Sequence, residues 1–158
     1  MGVVRVIIIG LLALLTVSSA YASPLDEAIS AYKSGNLLTA KRLFNQLALN
    51  GAPVAQRYLG EMYDKGQGGS KDYVKAVEWY KKAAMQNDPQ AQFLLGVKYD
   101  NGHGVPRDQK LAYVWFAIAF NNGYEKAASP LKILNKTMTM SARQEALQLA
   151  TKQLSELP

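Results

Sequence analysis

Residues 55–83 read AQRYLGEMYDKGQGGSKDYVKAVEWYKKA, and residues 91–119 read AQFLLGVKYDNGHGVPRDQKLAYVWFAIA, the same pattern returning after 36 positions. Ala55, Gln56, Leu59, Gly60, Tyr63, Asp64, Gly66, Gly68, Asp72, Ala76, Trp79 and Ala83 each meet an identical residue one period on. A recurrence of this length is the signature of a helical solenoid, in which each unit buries its apolar face only by stacking on its neighbours. The returning residues are small, apolar or turn-forming, which suits packing and does not suit a reaction centre.

Within one unit, Ala55, Leu59 and Tyr63 fall four residues apart and share one helical face, with Gly60 leaving room for a neighbour. The glycines that follow stop this first helix. Asp72 and Asp108 stand where an N-cap is wanted. A second helix then carries Ala76, Trp79, Tyr80 and Ala83, matched by Ala112, Trp115, Phe116 and Ala119, and this spacing predicts a buried aromatic stripe that includes both tryptophans. Asp88-Pro89 restarts the cycle as cap and first helical residue.

The period also extends backwards, with Ala40, Leu43, Phe44 and Gly51 preceding Ala76, Trp79, Tyr80 and Asn87 by one unit. A shorter unit is therefore expected at 24–52, its first helix running from Pro24 to about Lys33 behind Ser23. After it come 53–88 and 89–124, then a C-terminal cap at 125–158. In that cap Ala127 keeps the register, Pro130 breaks it, and Ser141 with Gln144 resembles a capping box opening a last helix whose apolar face holds Leu147, Ala150 and Leu154. The nearly unbroken apolar stretch from Leu111 to Phe120 needs a cover, and this last helix is the expected one. The fold class is all-α: an α/α superhelical solenoid of antiparallel helix pairs with a C-terminal capping helix.

The motif A-Q-x-x-L-G-x-x-Y-D-x-G-x-G-x-x-x-D-x-x-x-A-x-x-W-[YF]-x-x-A, present twice, resembles the Sel-one-like repeat, a relative of the tetratricopeptide repeat. The resemblance implies a superhelix whose concave side, lined by first helices, holds partners. It also implies adaptor roles in signalling, secretion or envelope assembly, with bacterial members often exported.

Export is expected from the N-terminus as well. Arg5 precedes an apolar run from Val6 to Leu15, and Ser18-Ser19-Ala20-Tyr21-Ala22 fits a signal-peptidase site, so residues 1–22 read as a signal peptide. The run falls short of the roughly 20 residues a bilayer span needs, so an uncleaved anchor is the weaker reading, and no stable span is expected after cleavage. The destination is the periplasm or the exterior of a Gram-negative bacterium. What remains, 23–158, reads as one helical-repeat domain. The chain has no cysteine, so stability comes from packing and not from disulfides.

Catalysis finds no constellation in this chain. His103 is the single histidine, at a loop position that Gln67 takes in the preceding unit. The paired acids Asp64/Asp100 and Asp72/Asp108 duplicate with the repeat, as turns and caps would. No catalytic residue, metal ligand or cofactor is expected. Binding is better supported, because first-helix positions outside the repeated stripe differ between units, and Tyr58, Glu61, Met62, Leu94 and Lys98 form the expected partner-contact set. Packing between neighbouring helix pairs is the competing explanation for such residues, Phe93, Leu94 and Val97 in particular. The expected partner is another protein or peptide segment. With 18 Lys and Arg against 12 Asp and Glu, an anionic envelope glycan is the alternative partner and an envelope-polymer hydrolase the remote one; nucleic acid is not expected.

Overall fold

The computed structural model describes residues 22–155, and these form eight α-helices and no strand. They are α1 (Pro24–Lys33), α2 (Leu37–Leu49), α3 (Pro53–Lys65), α4 (Tyr73–Met85), α5 (Pro89–Asn101), α6 (Gln109–Asn121), α7 (Ala128–Thr137) and α8 (Met140–Ser155), with a 3₁₀ turn at Glu125–Ala127. The leader expected at 1–22 lies outside the described residues except for Ala22, which is exposed. Among the described residues no helix is long and apolar enough to cross a membrane.

Local chemistry sets the helix ends. Ser23 and Asp26 form a reciprocal capping box, Ser23 Oγ accepting from the Asp26 amide at 3.1 Å while Asp26 accepts from the Ser23 amide at 3.1 Å. Asp72, Asp88 and Asp108 each accept from free amides at the start of α4, α5 and α6. The first helices α3 and α5 stop at left-handed glycines, Gly66 and Gly102, both at φ 71°. Past the second helices the chain again turns left-handed, at Gly51, Asn87 and Gly123. Asn87 is the one non-glycine among the described residues with positive φ.

Helices pair as α1/α2, α3/α4 and α5/α6, and each second helix also packs on the first helix of the next pair. The pairing turns on the duplicated glycines. A Cβ on Gly60 would lie 2.7 Å from the Tyr80 ring, and one on Gly96 would lie 2.8 Å from the Phe116 ring. Both rings are buried, as is Phe44 at the matching place in the first unit. Glycine is thus required in α3 and α5 so that an aromatic of the partner helix can press on bare backbone.

The tryptophans need a correction. Trp79 and Trp115 are half-buried, not interior; each lies across the junction on the core of the preceding unit. The innermost aromatics are the next residues along, Tyr80 and Phe116. The apolar α6 is covered, since α7 and α8 both pack on it and Ala127, Leu134 and Ala146 are buried, but the inward face of α8 needs a correction: Ala146 turns in, whereas Leu147 is 53% exposed, Ala150 is half-buried and the Leu154 side chain lies outside the described residues. The start of α8 differs from expectation. Thr139 caps it through the Ala142 amide (3.1 Å), whereas Ser141 is already helical and turns its hydroxyl to Glu145. Pro130 sits in the first turn of α7, where no amide hydrogen is needed, so it opens a helix there.

Candidate interaction surface

Two polar clasps join neighbouring units. Gln56, buried in α3, donates to the Ala48 carbonyl at 3.1 Å and accepts from Gln86 at 2.8 Å. One period later Gln92 donates to the Ala84 carbonyl at 3.0 Å and accepts from Asn122 at 2.9 Å. Each glutamine thereby satisfies an end carbonyl of the preceding second helix. The second clasp is the glycine-rich loop. Gly68 rests on the Leu37 carbonyl and Gly104 on the Tyr73 carbonyl, so closely that a Cβ would come within 2.8 and 2.2 Å respectively.

The expected contact residues divide against this frame. Met62 is fully buried and cannot meet a partner. Lys98 is 5% exposed and pairs with Asp64 at 2.5 Å. Its register counterpart is Met62, so the lysine stem fills an interior methionine's place while the ammonium reaches sideways to the acid. Asp64 is therefore an inter-unit ion-pair residue rather than a turn former; it also accepts from the Tyr80 hydroxyl at 3.4 Å. Asp100 instead lies 3.9 Å from Arg107.

Tyr58, Glu61 and Leu94 keep part of their surface. Tyr58 stacks on Phe44 at 4.7 Å and meets Tyr32 edge-on at 5.4 Å. Glu61 receives Arg57 at 3.0 Å and Lys65 at 3.1 Å, and Arg57 also reaches Asp88 at 3.1 Å. In the next unit the Arg57/Glu61 pair becomes Phe93 and Val97, which pack on the core beneath α6. Leu94 packs against the core between α4 and α5. Packing thus claims much of this set.

The ionisation states follow from these contacts. Hydrogen bonds from Ser23 hold Asp26 below the usual carboxylate range, and the amide and side chain of Lys75 do the same for Asp72. Lys110 lowers Glu145 and is itself raised by it. Asp72 raises Lys75. Burial opposes the Arg57 and Lys65 cations, but the acids beside Arg57 and the Glu61 and Tyr32 oxygens beside Lys65 outweigh it, and both sit above their ordinary values. Burial, then Asp64, pushes the Tyr80 phenol far up. Every one of these displacements leads away from neutral pH. His103 stacks on Tyr73 at 4.7 Å, and the described residues contain no cluster of three or more His, Cys, Asp or Glu that could hold a metal.

The family described as Sel1 repeat matches residues 53–88 and 89–124. A protective antigen of uropathogenic Escherichia coli, c5321, which displays an SLR fold, is 29% identical with a TM-score of 0.76 over 86% of this chain and 31% of its own. A Sel1 repeat protein from Oxalobacter formigenes is 30% identical with a TM-score of 0.69, over 84% of this chain and 55% of its own. Cysteine-rich protein B of Helicobacter pylori is 30% identical with a TM-score of 0.57, over 59% of this chain and 70% of its own. The chain thus spans about a third and about half of the lengths of the first two. No curated protein matches the chain.

Proposed function

The chain belongs to the Sel1 repeat family, and on that footing we propose that it is a non-catalytic exported scaffold that holds a segment of another protein against its first helices. The observation that carries the reading is the constant frame of duplicated glycines, aromatics and glutamine clasps around first-helix residues that vary between units, and the direction of the ionisation shifts agrees with it. Catalytic acids and bases need carboxylates raised or amines lowered toward neutrality. Here Asp26, Asp72 and Glu145 are lowered while Lys65, Lys75, Lys110 and Tyr80 are raised, as caps, ion pairs and burial require.

The partner face is the partly exposed side of α3 and α5, where Tyr58, Glu61 and Leu94 vary between units inside a constant frame. Export rests on the N-terminal apolar run and the Ser-Ser-Ala-Tyr-Ala stretch, and the periplasm or exterior of a Gram-negative cell is the compartment proposed. A photo-crosslinking residue placed at Glu61 or at Leu94, with exposed Val74 of α4 as the reference position, tests the face in living cells. Partner adducts from 61 and 94 but not from 74 are expected. Adducts from 74 alone would refute it.

A further inference from the structure

The junction of the first two units carries a lysine cluster that the repeat does not require. Lys41 of α2 and Lys75 of α4 hold their ammonium groups 4.2 and 5.6 Å from the Tyr63 ring centre, hence no more than about 10 Å apart, roughly one Debye length at moderate salt. Lys71, exposed at the end of the glycine-rich loop, holds its ammonium 5.5 Å from the Tyr73 ring centre. Lys41 donates to the Gly68 carbonyl at 3.3 Å, and Gly69 leaves open the space a Cβ would occupy 3.0 Å from the Lys41 ammonium. The amides of Gly69, Ser70 and Lys71 donate to no acceptor among the described residues.

One period later the frame is filled differently. Lys41 becomes buried Val77, Lys75 becomes Leu111, Gly69 becomes Val105 and Ser70 becomes Pro106, all around Tyr99 in the place of Tyr63. The same architecture therefore stands with apolar residues at the places of Lys41 and Lys75, while Lys71 becomes Arg107 and keeps its charge. Four carboxylates lie in the neighbourhood. Asp72 pairs with Lys75 at 3.1 Å, Asp64 with Lys98 and Glu61 with Lys65, while Glu78 acts on Lys75 at longer range. Lys41 and Lys71 pair with no carboxylate among the described residues, so the cluster keeps an excess of positive charge.

We infer that Lys41 and Lys75 over Tyr63, with Lys71 over Tyr73, form a second interaction surface, on the loop edge of the solenoid, for an acidic peptide segment of a partner protein. A span of up to about 10 Å matches one turn of polyproline-II chain, three residues at about 3.1 Å each, so Asp or Glu at every third position falls on one side and meets Lys41 and Lys75 together. The cluster has ammonium groups with no arginine fork among them, so recognition rests on charge and spacing and not on a planar bidentate grip. The inference is independent of the first-helix face, because none of the three lysines belongs to α3 or α5.

Fluorescence anisotropy with a labelled peptide carrying Glu at every third position tests it on the chain from residue 23. The Lys41→Val, Lys71→Ala, Lys75→Leu variant borrows two residues from the equivalent positions of the next unit and is expected to bind at least about 10-fold more weakly, with a flatter salt dependence. Lys126→Ala, Lys132→Ala and Lys136→Ala together remove the same charge elsewhere and leave binding intact. Single Lys71→Glu, at an exposed loop position, provides the same loss if the triple variant fails to fold by circular dichroism. Equal losses from the two triple variants, no peptide binding by the parent, or binding of inorganic polyphosphate in preference to the peptide would each overturn the inference.

Discussion

Replacing Gly96 by alanine sets two opposed effects against each other in a buried helix. Alanine gains about 1 kcal/mol over glycine from helix propensity alone. Here the new methyl lies 2.8 Å from two carbons of the Phe116 ring, which is 1% exposed and has no room to retreat. Overpacking of this kind costs about 1–3 kcal/mol, and a gap this short belongs near the upper end. A net loss of about 2 kcal/mol follows, or a fall of roughly 8 °C in melting temperature at this chain length. Urea unfolding followed by circular dichroism at 222 nm measures it. Shortening the neighbour in Gly96→Ala/Phe116→Leu returns part of the loss, giving a favourable coupling energy of about 1 kcal/mol in a double-mutant cycle. A single variant more stable than the parent, or a cycle with no coupling, would refute the packing argument.

Other perturbations separate the frame from its surface. Phe116→Ala should cost about 3–5 kcal/mol as a core truncation and Trp115→Ala clearly less, since the tryptophan is covered on one side only; equal losses by denaturant titration would contradict the placement. Asp88→Ala removes a buried cap and the Arg57 partner together and should cost about 2 kcal/mol in the same assay. Asn87→Gly relieves the left-handed position at φ 62° and should leave stability unchanged or raise it by up to about 1 kcal/mol, whereas Asn87→Ala should lower it. Asp26, Asp72 and Glu145 have folded values below their unfolded ones, so their stabilisation is complete above about pH 4–5 and is lost as pH falls through the folded values. A melting temperature that rises on acidification below pH 4 would contradict that sign.

Much of this architecture is legible in the chain because it rests on local chemistry repeated in register. Caps such as Ser23, Asp72 and Asp108 act within three residues, so their meaning needs no tertiary knowledge. Gly60 and Gly96 announce close approach by falling mid-helix, where glycine is otherwise costly. The opening of α8 was harder to read. Thr139 and Ser141 are both competent caps, and only the path of the chain around α6 selects the earlier one.

Long-range polar contacts were the least legible. Asp64 meets Lys98 across 34 positions, and nothing periodic marks the pair because the next unit lacks it. A signal was nonetheless present. Lys98 aligns with Met62, and an apolar counterpart implies an interior site in which a lysine must find an acid. By the same comparison Arg57 and Glu61 align with Phe93 and Val97, so that charged pair holds the place packing holds in the next unit while Glu61 keeps part of its surface. Variation between units therefore records two different things, partner contact and alternative solutions to one packing problem. Lys41 and Lys75 differ from Lys98 here: Lys75 is exposed and Lys41 has no acid for its ammonium among the described residues.

The claim that duplicated residues interlock identical helix pairs is tested most directly by proton NMR. The account predicts nuclear Overhauser contacts from the Gly60 α-protons to the Tyr80 ring and from the Gly96 α-protons to the Phe116 ring, with both sets shifted upfield by ring currents. Unshifted glycine signals lacking those ring contacts, or the contacts in one unit without the other, would contradict it.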